Sequence, residues 1–197
     1  MTKDIYDVVI VGGGPVGMGL AIDLGQRGHS VAVAERYLEP QPIPKGQNLT
    51  QRTMENIASW GCAAELRAAR VTPREVANGG LVTHGTLLSD YAYDWLPRER
   101  VRPYYAEDVE RLPQYATERV LRTRAAEVPG IETFYGWEFA GYSEDADGVT
   151  VTIAEAKGDG RRKLRAAHAV GCDGARSALR EAAGITQTRR DHDKRMV

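Results

Sequence analysis

The stretch VVIVGGGPVG, Val8–Gly17, is an apolar β-branched run that breaks into a glycine-rich turn. Ile5–Val11 has the continuous hydrophobicity of a strand buried on both faces. Gly12–Gly17 reads as the turn, and Pro15 suits the first position of a following helix, where its missing N–H is not needed. That helix is expected to run to about Arg27, with Val16, Leu20, Ile22 and Leu24 as apolar positions and Gly28 as its stop. Val31–Ala34 is a second buried strand, ending at Glu35. A β-α-β unit of this length argues for a parallel sheet and an α/β fold.

Gly12, Gly14 and Gly17 match G-x-G-x-x-G. Gly12 permits the tight turn, Gly14 lets a pyrophosphate approach the backbone at the helix N-terminus, and Gly17 lets helix and strand pack closely. Glycine turns are common, so the spacing alone is a weak signal. Its place between strand and helix, with Glu35 where a ribose-binding acid belongs, makes a dinucleotide site the better reading. The bland alternative for Glu35 is a solvated strand end. Glu35 also argues against a phosphate on that ribose, since two anions would meet.

Beyond Glu35 a Pro-rich stretch, LEPQPIPKGQ (Leu38–Gln47), crosses the surface, and Thr53–Trp60 reads as a short helix stopped by Gly61. From Val71 to Tyr105 periodicity is poor and aromatics are dense, with Tyr91, Tyr93, Trp95, Tyr104 and Tyr105. This reads as an insertion that leaves the sheet, its aromatics forming a packed cluster more readily than a substrate wall. Pro113 opens a helix to about Ala126, and Ile131–Tyr135 is the next strand. Glu138–Tyr142, Val149–Ala154 and Lys163–Val170 are separated by the turn signals EDADG and KGDGR. They form an antiparallel meander that delivers the chain into AVGCDG, Ala169–Gly174. A helix over Ser177–Ala183 ends at Gly184. The expected parallel order is 3-2-1-4, and the chain divides into 1–62, an insertion over 63–106, a remainder over 107–184 and a tail over 185–197.

A net charge of -1 over 197 residues, with no long block of like charge, gives no sign of a nucleic-acid or membrane-surface partner. RRKLRAA, Arg161–Ala167, reads as a solvated strand face without aromatic partners. Asp4, Asp7 and Asp23 rule the N-terminus out as a signal peptide or membrane span, so a cytoplasmic protein is expected. Cys62 and Cys172 form no C-x-x-C pair, and His84, His168 and His192 make no metal-ligand spacing or nucleophile triad. No metal is expected.

Arg36 after the acid, and VGCDGARSALR (Val170–Arg180) downstream, resemble the class A flavoprotein monooxygenases, the para-hydroxybenzoate hydroxylase-like family. The resemblance runs in order through essentially the whole chain. It implies that Gly12, Gly14, Pro15, Val16, Gly17, Glu35 and Arg36 bind the ADP half of FAD. Asp173 and Gly174 match the family's D-G pair, and Arg180 the basic residue on the helix after it. The alternative for Asp173 is an N-cap, shared with Ser177. ERLPQYATERVL (Glu110–Leu121) resembles the helix beneath the flavin, which makes Gln114 a flavin or phosphate contact. PKGQNLTQRTME (Pro44–Glu55) has Lys45 where the family has a pyrophosphate arginine. Arg52 is its rival, with a salt bridge to Glu55 as the other reading.

The implied activity is hydroxylation of a small aromatic, phenolic compound with FAD, NADH or NADPH, and O2, no catalytic side chain being assigned. A homo-oligomer is compatible with the sequence. The family's G-D motif and second half do not occur before Val197, so the chain is expected to be half of an active site. Either it is a fragment, or another chain completes it. Alone it is expected to hold FAD poorly and to expose the strand ending at Gly171 as a sheet edge. The competing readings are a non-catalytic flavin-binding module or truncated relic, and an epoxidase of the same fold.

Overall fold

In the computed structural model, which describes residues 5–43, 45–73, 81–86, 88–94, 100 and 102–188, the opening run folds as its pattern requires. β1 (Tyr6–Val11), α1 (Pro15–Gln26) and β2 (Val31–Glu35) form one β-α-β unit. Val8, Ile10, Val31 and Val33 face the helical side, while Val9, Val11, Ala32 and Ala34 face the other. All are buried, which is why these strands show no polar alternation.

The chain continues through β3 (Asn48–Leu49), α2 (Gln51–Ser59), α3 (Ala63–Ala68), β4 (Leu81–Thr83) and β5 (Ala92–Asp94). A 3-10 turn (Arg102–Tyr104), β6 (Glu110–Arg111), α4 (Gln114–Glu127) and β7 (Ile131–Tyr135) follow. The last elements are β8 (Trp137–Asp145), β9 (Gly148–Glu155), β10 (Arg161–Gly171) and α5 (Ala178–Ala182).

The main sheet has the order β7-β2-β1-β10-β9-β8. Its parallel part, β7-β2-β1-β10, is the expected 3-2-1-4 arrangement. β10 plays two parts: Arg161–Ala166 pair antiparallel with β9, and Ala166–Gly171 lie parallel to β1. This one strand carries the meander back over the parallel sheet, so that β8 packs on β2. Val149, Val151, Ile153 and Leu164 then share a core with Val9, Ala34 and Phe134. The small Ala32 and Ala34 leave room for that second layer. On the side away from β1, residues 167–171 have no strand beside them among the described residues.

Several local expectations are corrected. α1 is buried through Gly17, Met18, Gly19, Ala21, Ile22 and Gly25, whereas Val16 is 72% exposed. Small residues are needed on this face because Trp60 crosses it: a Cβ on Gly19 would lie 2.4 Å from the indole. α2 starts earlier, at Gln51, because Thr50 caps it and accepts from the Thr53 N–H at 3.3 Å. α3 was not anticipated, yet it buries Leu66 in the helical-side core. Between α3 and β6, Tyr91, Tyr93, Tyr104 and Tyr105 are exposed rather than packed, with Tyr91 and Tyr93 edge-on at 6.1 Å. Trp95 lies outside the described residues. The basic strand does have aromatic partners: Arg162 stands 5.0 Å over the Trp137 ring and 5.8 Å over that of Phe134.

Candidate dinucleotide site

The parallel strands end together, and the glycine loop leaves the sheet there. Gly12 has φ +103°, and a Cβ on it would stand 2.5 Å from the Cys172 carbonyl group. A Cβ on Gly17 would stand 1.9 Å from the Gly12 oxygen. Both positions therefore exclude any side chain, and they bring the start of α1 against the ends of β1 and β10. Gly14 differs. It is the α1 N-cap, in ordinary extended conformation, and nothing lies within 4 Å of the place a Cβ would take. No side chain caps α1 and its first turn carries no acid, so its free N–H groups and positive dipole end meet open space. An anion placed there would be held by backbone donors. Pro15 opens the helix and Val16 stands exposed beside this space.

Glu35 is buried at 9% exposure, not a solvated strand end. Its Oε2 accepts from the Gly13 N–H at 2.7 Å and its Oε1 from the Tyr37 N–H at 2.9 Å. Each carboxylate oxygen keeps a second lone pair for a hydroxyl donor. A Cβ on Gly13 would lie 2.7 Å from the Glu35 Cβ, so a glycine between the first two of the motif is what lets the acid approach. Arg36 lies over the Tyr37 ring at 4.8 Å and lines a cavity of about 510 Å³ with Tyr37, Tyr135, Trp137 and Lys157.

A second group gathers at the start of α4. Gln114 Oε1 accepts from the Gly46 N–H at 3.1 Å, and its Nε2 donates to Glu118 Oε1 at 2.7 Å. Gln114 is thus tied to the segment that carries the exposed Lys45. The same segment is held by the β3–β6 ribbon, where the Leu112 N–H donates to the Gln47 carbonyl at 2.9 Å. Beneath the ribbon the buried Glu110 is clasped by Arg70, Nε to Oε2 at 3.0 Å. Sequence reasoning missed this brace, because Arg70 follows the end of α3 and Glu110 sits on β6, forty residues away. Arg52, 79% exposed, pairs with Glu55 at 3.2 Å.

At the end of β10, Ser177 is the α5 N-cap and accepts from the Arg180 N–H at 3.0 Å. Asp173 shares the capping, its Oδ2 accepting from the Leu179 N–H at 3.3 Å. Its Oδ1 is buried without a partner, as is Arg180 Nε. The rest of the Arg180 guanidinium donates to the Ala175 carbonyl at 2.9 Å and to Glu181 at 3.1 Å. Gly174, at φ +86°, makes the turn between them. Gly171, Gly174, Ser177 and Arg180 border a cavity of about 890 Å³.

Burial pushes the Cys172 thiol up, and the neighbouring Asp173 adds to the shift. Burial pushes Cys62 up to about 11. Neither is a thiolate near neutral pH, which leaves both as packing residues. Among the described residues no His, Cys, Asp and Glu gather as a metal site, and no helix is long and apolar enough to cross a membrane.

Open helix donors beside a buried carboxylate suit the diphosphate and ribose of a nucleotide. Residues 5–196 match the family model for an FAD binding domain. The chain is 34% identical over 181 residues to the rifampicin monooxygenase of Streptomyces venezuelae, covering 92% of this chain and 34% of that one. It is 34% identical over 180 residues to a 12-dehydrotetracycline 5-monooxygenase/anhydrotetracycline 6-monooxygenase of Streptomyces rimosus, covering 91% and 33%. Among solved structures it resembles an aklavinone-11 hydroxylase in ternary complex with FAD and aklavinone, with TM-score 0.78 and 27% identity over 93% of this chain and 36% of that one. The chain spans about a third of the length of the curated relatives it matches.

Proposed function

The chain belongs to the FAD-binding-domain family found in class A flavoprotein monooxygenases, and from that premise we propose that it binds FAD for the oxygen-dependent hydroxylation of an aromatic compound. The observation that carries the proposal is the open, uncapped α1 N-terminus over Gly14, set beside a buried Glu35 with lone pairs to offer. FAD fits this donor set at its ADP end. The N–H groups of the first turn of α1 bind the pyrophosphate, Glu35 accepts from a ribose hydroxyl, and Arg36 borders the adenosine side. Lys45, tied to Gln114 through Gly46, supplies a positive charge to the phosphates, and Gln114 itself contacts the flavin or phosphate. Arg52 is turned to Glu55 and is the weaker candidate for that contact.

At the other strand end, the unpartnered Asp173 Oδ1 and Arg180 Nε are the buried polar atoms that a ligand group would satisfy. We assign Asp173, Gly174 and Arg180 to the cofactor site on that ground. The bound flavin, reduced by NADH or NADPH, supplies the oxygen-transfer chemistry, while the protein holds the cofactor and keeps water out. The relatives named for rifampicin and anhydrotetracycline support an aromatic or polyketide substrate. A cytoplasmic location belongs to the same proposal, since the proposed activity draws on the NADH or NADPH that a cytoplasm supplies.

The test is NAD(P)H-dependent oxygen uptake by the full-length protein, followed with phenolic and polycyclic aromatic compounds and with product analysis. Oxygen uptake matched by a hydroxylated product is expected. FAD bound without any substrate-dependent turnover would favour a non-catalytic flavin module, and an epoxide product an epoxidase.

A further inference from the structure

We propose that Arg122 is a positioning residue of the nucleotide site, holding the Glu35 carboxylate in place through the backbone of Tyr37 and Leu38. The inference rests on the FAD reading above. Arg122 lies on α4, remote in sequence from the glycine loop. Its Nη1 donates to the Leu38 carbonyl at 2.7 Å and its Nη2 to the Tyr37 carbonyl at 3.4 Å. The guanidinium lies 4.3 Å over the ring of Tyr135, the β7 residue in register with Glu35.

Tyr37 is therefore gripped at both polar groups of its backbone. Its carbonyl accepts from Arg122, and its N–H donates to Glu35 Oε1 at 2.9 Å. The other oxygen of Glu35 accepts from Gly13 at 2.7 Å, inside the glycine loop. A continuous path runs from α4 through Tyr37 and Glu35 to the turn that would face the pyrophosphate. Leu38 and Glu39, which follow Tyr37, are exposed, and the prolines at 40 and 42 have no N–H with which to fix the backbone further.

The task suits arginine in particular. A planar fork can bridge two carbonyls while lying flat on a ring, whereas a lysine ammonium is a single point donor. Arg122 Nε is buried without a partner. That is an unfavourable way to cover a tyrosine unless the two Nη bonds matter, because a methionine would cover it without that penalty.

A double-mutant cycle on the full-length protein tests this, with FAD and ADP affinities measured for wild type, Arg122→Met, Glu35→Ala and the double variant. Met keeps the cover over Tyr135, and a melting curve checks that each protein is folded. Arg122→Met is expected to weaken FAD and ADP binding about tenfold beside Glu35, and less than about twofold once Glu35 is alanine. Wild-type affinity in Arg122→Met, or the same loss in both backgrounds, overturns the inference while leaving the FAD reading intact. A wild-type protein that binds neither FAD nor ADP removes the FAD reading, and this inference with it.

Discussion

At the end of β2, Glu35 commits both carboxylate oxygens to backbone N–H groups, whereas at the end of β10, Asp173 leaves one oxygen buried and unpaired. Both acids close a parallel strand and both stand beside the same glycine loop, since a Cβ on Gly12 would strike Cys172, the neighbour of Asp173. The first end is hydrogen-bonded within the protein, and among the described residues it opens at the space over Gly14 and at the cavity that Arg36 lines. The second end carries two unmet hydrogen-bonding atoms, on Asp173 and Arg180, next to a large cavity. The glycine end is thus built before any ligand arrives, and in the proposed reading the D-G end is completed by a bound group.

The contrast can be broken by substitution. The largest effect is expected inside the glycine loop, at a position whose missing side chain serves packing. Gly17→Ala puts a methyl 1.9 Å from the Gly12 oxygen and should lower stability by about 3 kcal/mol, read by chemical denaturation. A wild-type denaturation midpoint would mean that α1 can move off β1 at little cost.

Lys45→Ala and Gln114→Ala come next. Each should reduce FAD affinity about ten- to a hundredfold, the loss of one charge-assisted hydrogen bond, with the fold kept. Arg52→Ala should change it by less than about twofold, because its exposed pair with Glu55 is of little energetic weight. Weakening by Arg52→Ala alone would reverse the assignment of Lys45.

The smallest effects sharpen the D-G end. Ser177→Ala should cost about 1 kcal/mol of stability through the lost α5 cap and leave FAD affinity unchanged. Asp173→Ala should cost a similar amount and also weaken FAD binding, because only Asp173 has an oxygen left over. Identical behaviour of the two variants would reduce Asp173 to a cap.

The same contrast explains what could be read from sequence. The β-α-β unit and the Glu35 position follow from patterns local to about thirty residues, where strand, turn and helix signals lie side by side. The burial of Glu35 was not legible, because it depends on Tyr37 and Gly13 closing over the carboxylate. The buried face of α1 was legible in Leu20, Ile22 and Leu24, but not in the need for Gly19, which Trp60 imposes from the end of α2. The continuity of β10 was half visible. Its segments read as strand, but that one strand would serve meander and parallel sheet together is a matter of register. Arg122 gave no signal at all, since an arginine on a polar helix reads as solvated face until its two backbone partners are in view.

The central claim is that the open N-terminus of α1 receives the FAD pyrophosphate, and the most direct test is FAD binding by wild type and Gly14→Val, alongside their melting temperatures. The account predicts that wild type takes up FAD and shows the spectrum of oxidised flavin. The valine variant should melt close to wild type, because nothing in the fold occupies the space its side chain would enter, and yet it should lose FAD. A Gly14→Val protein that binds FAD as tightly as wild type, or a folded wild type that cannot be loaded with FAD at all, would contradict it.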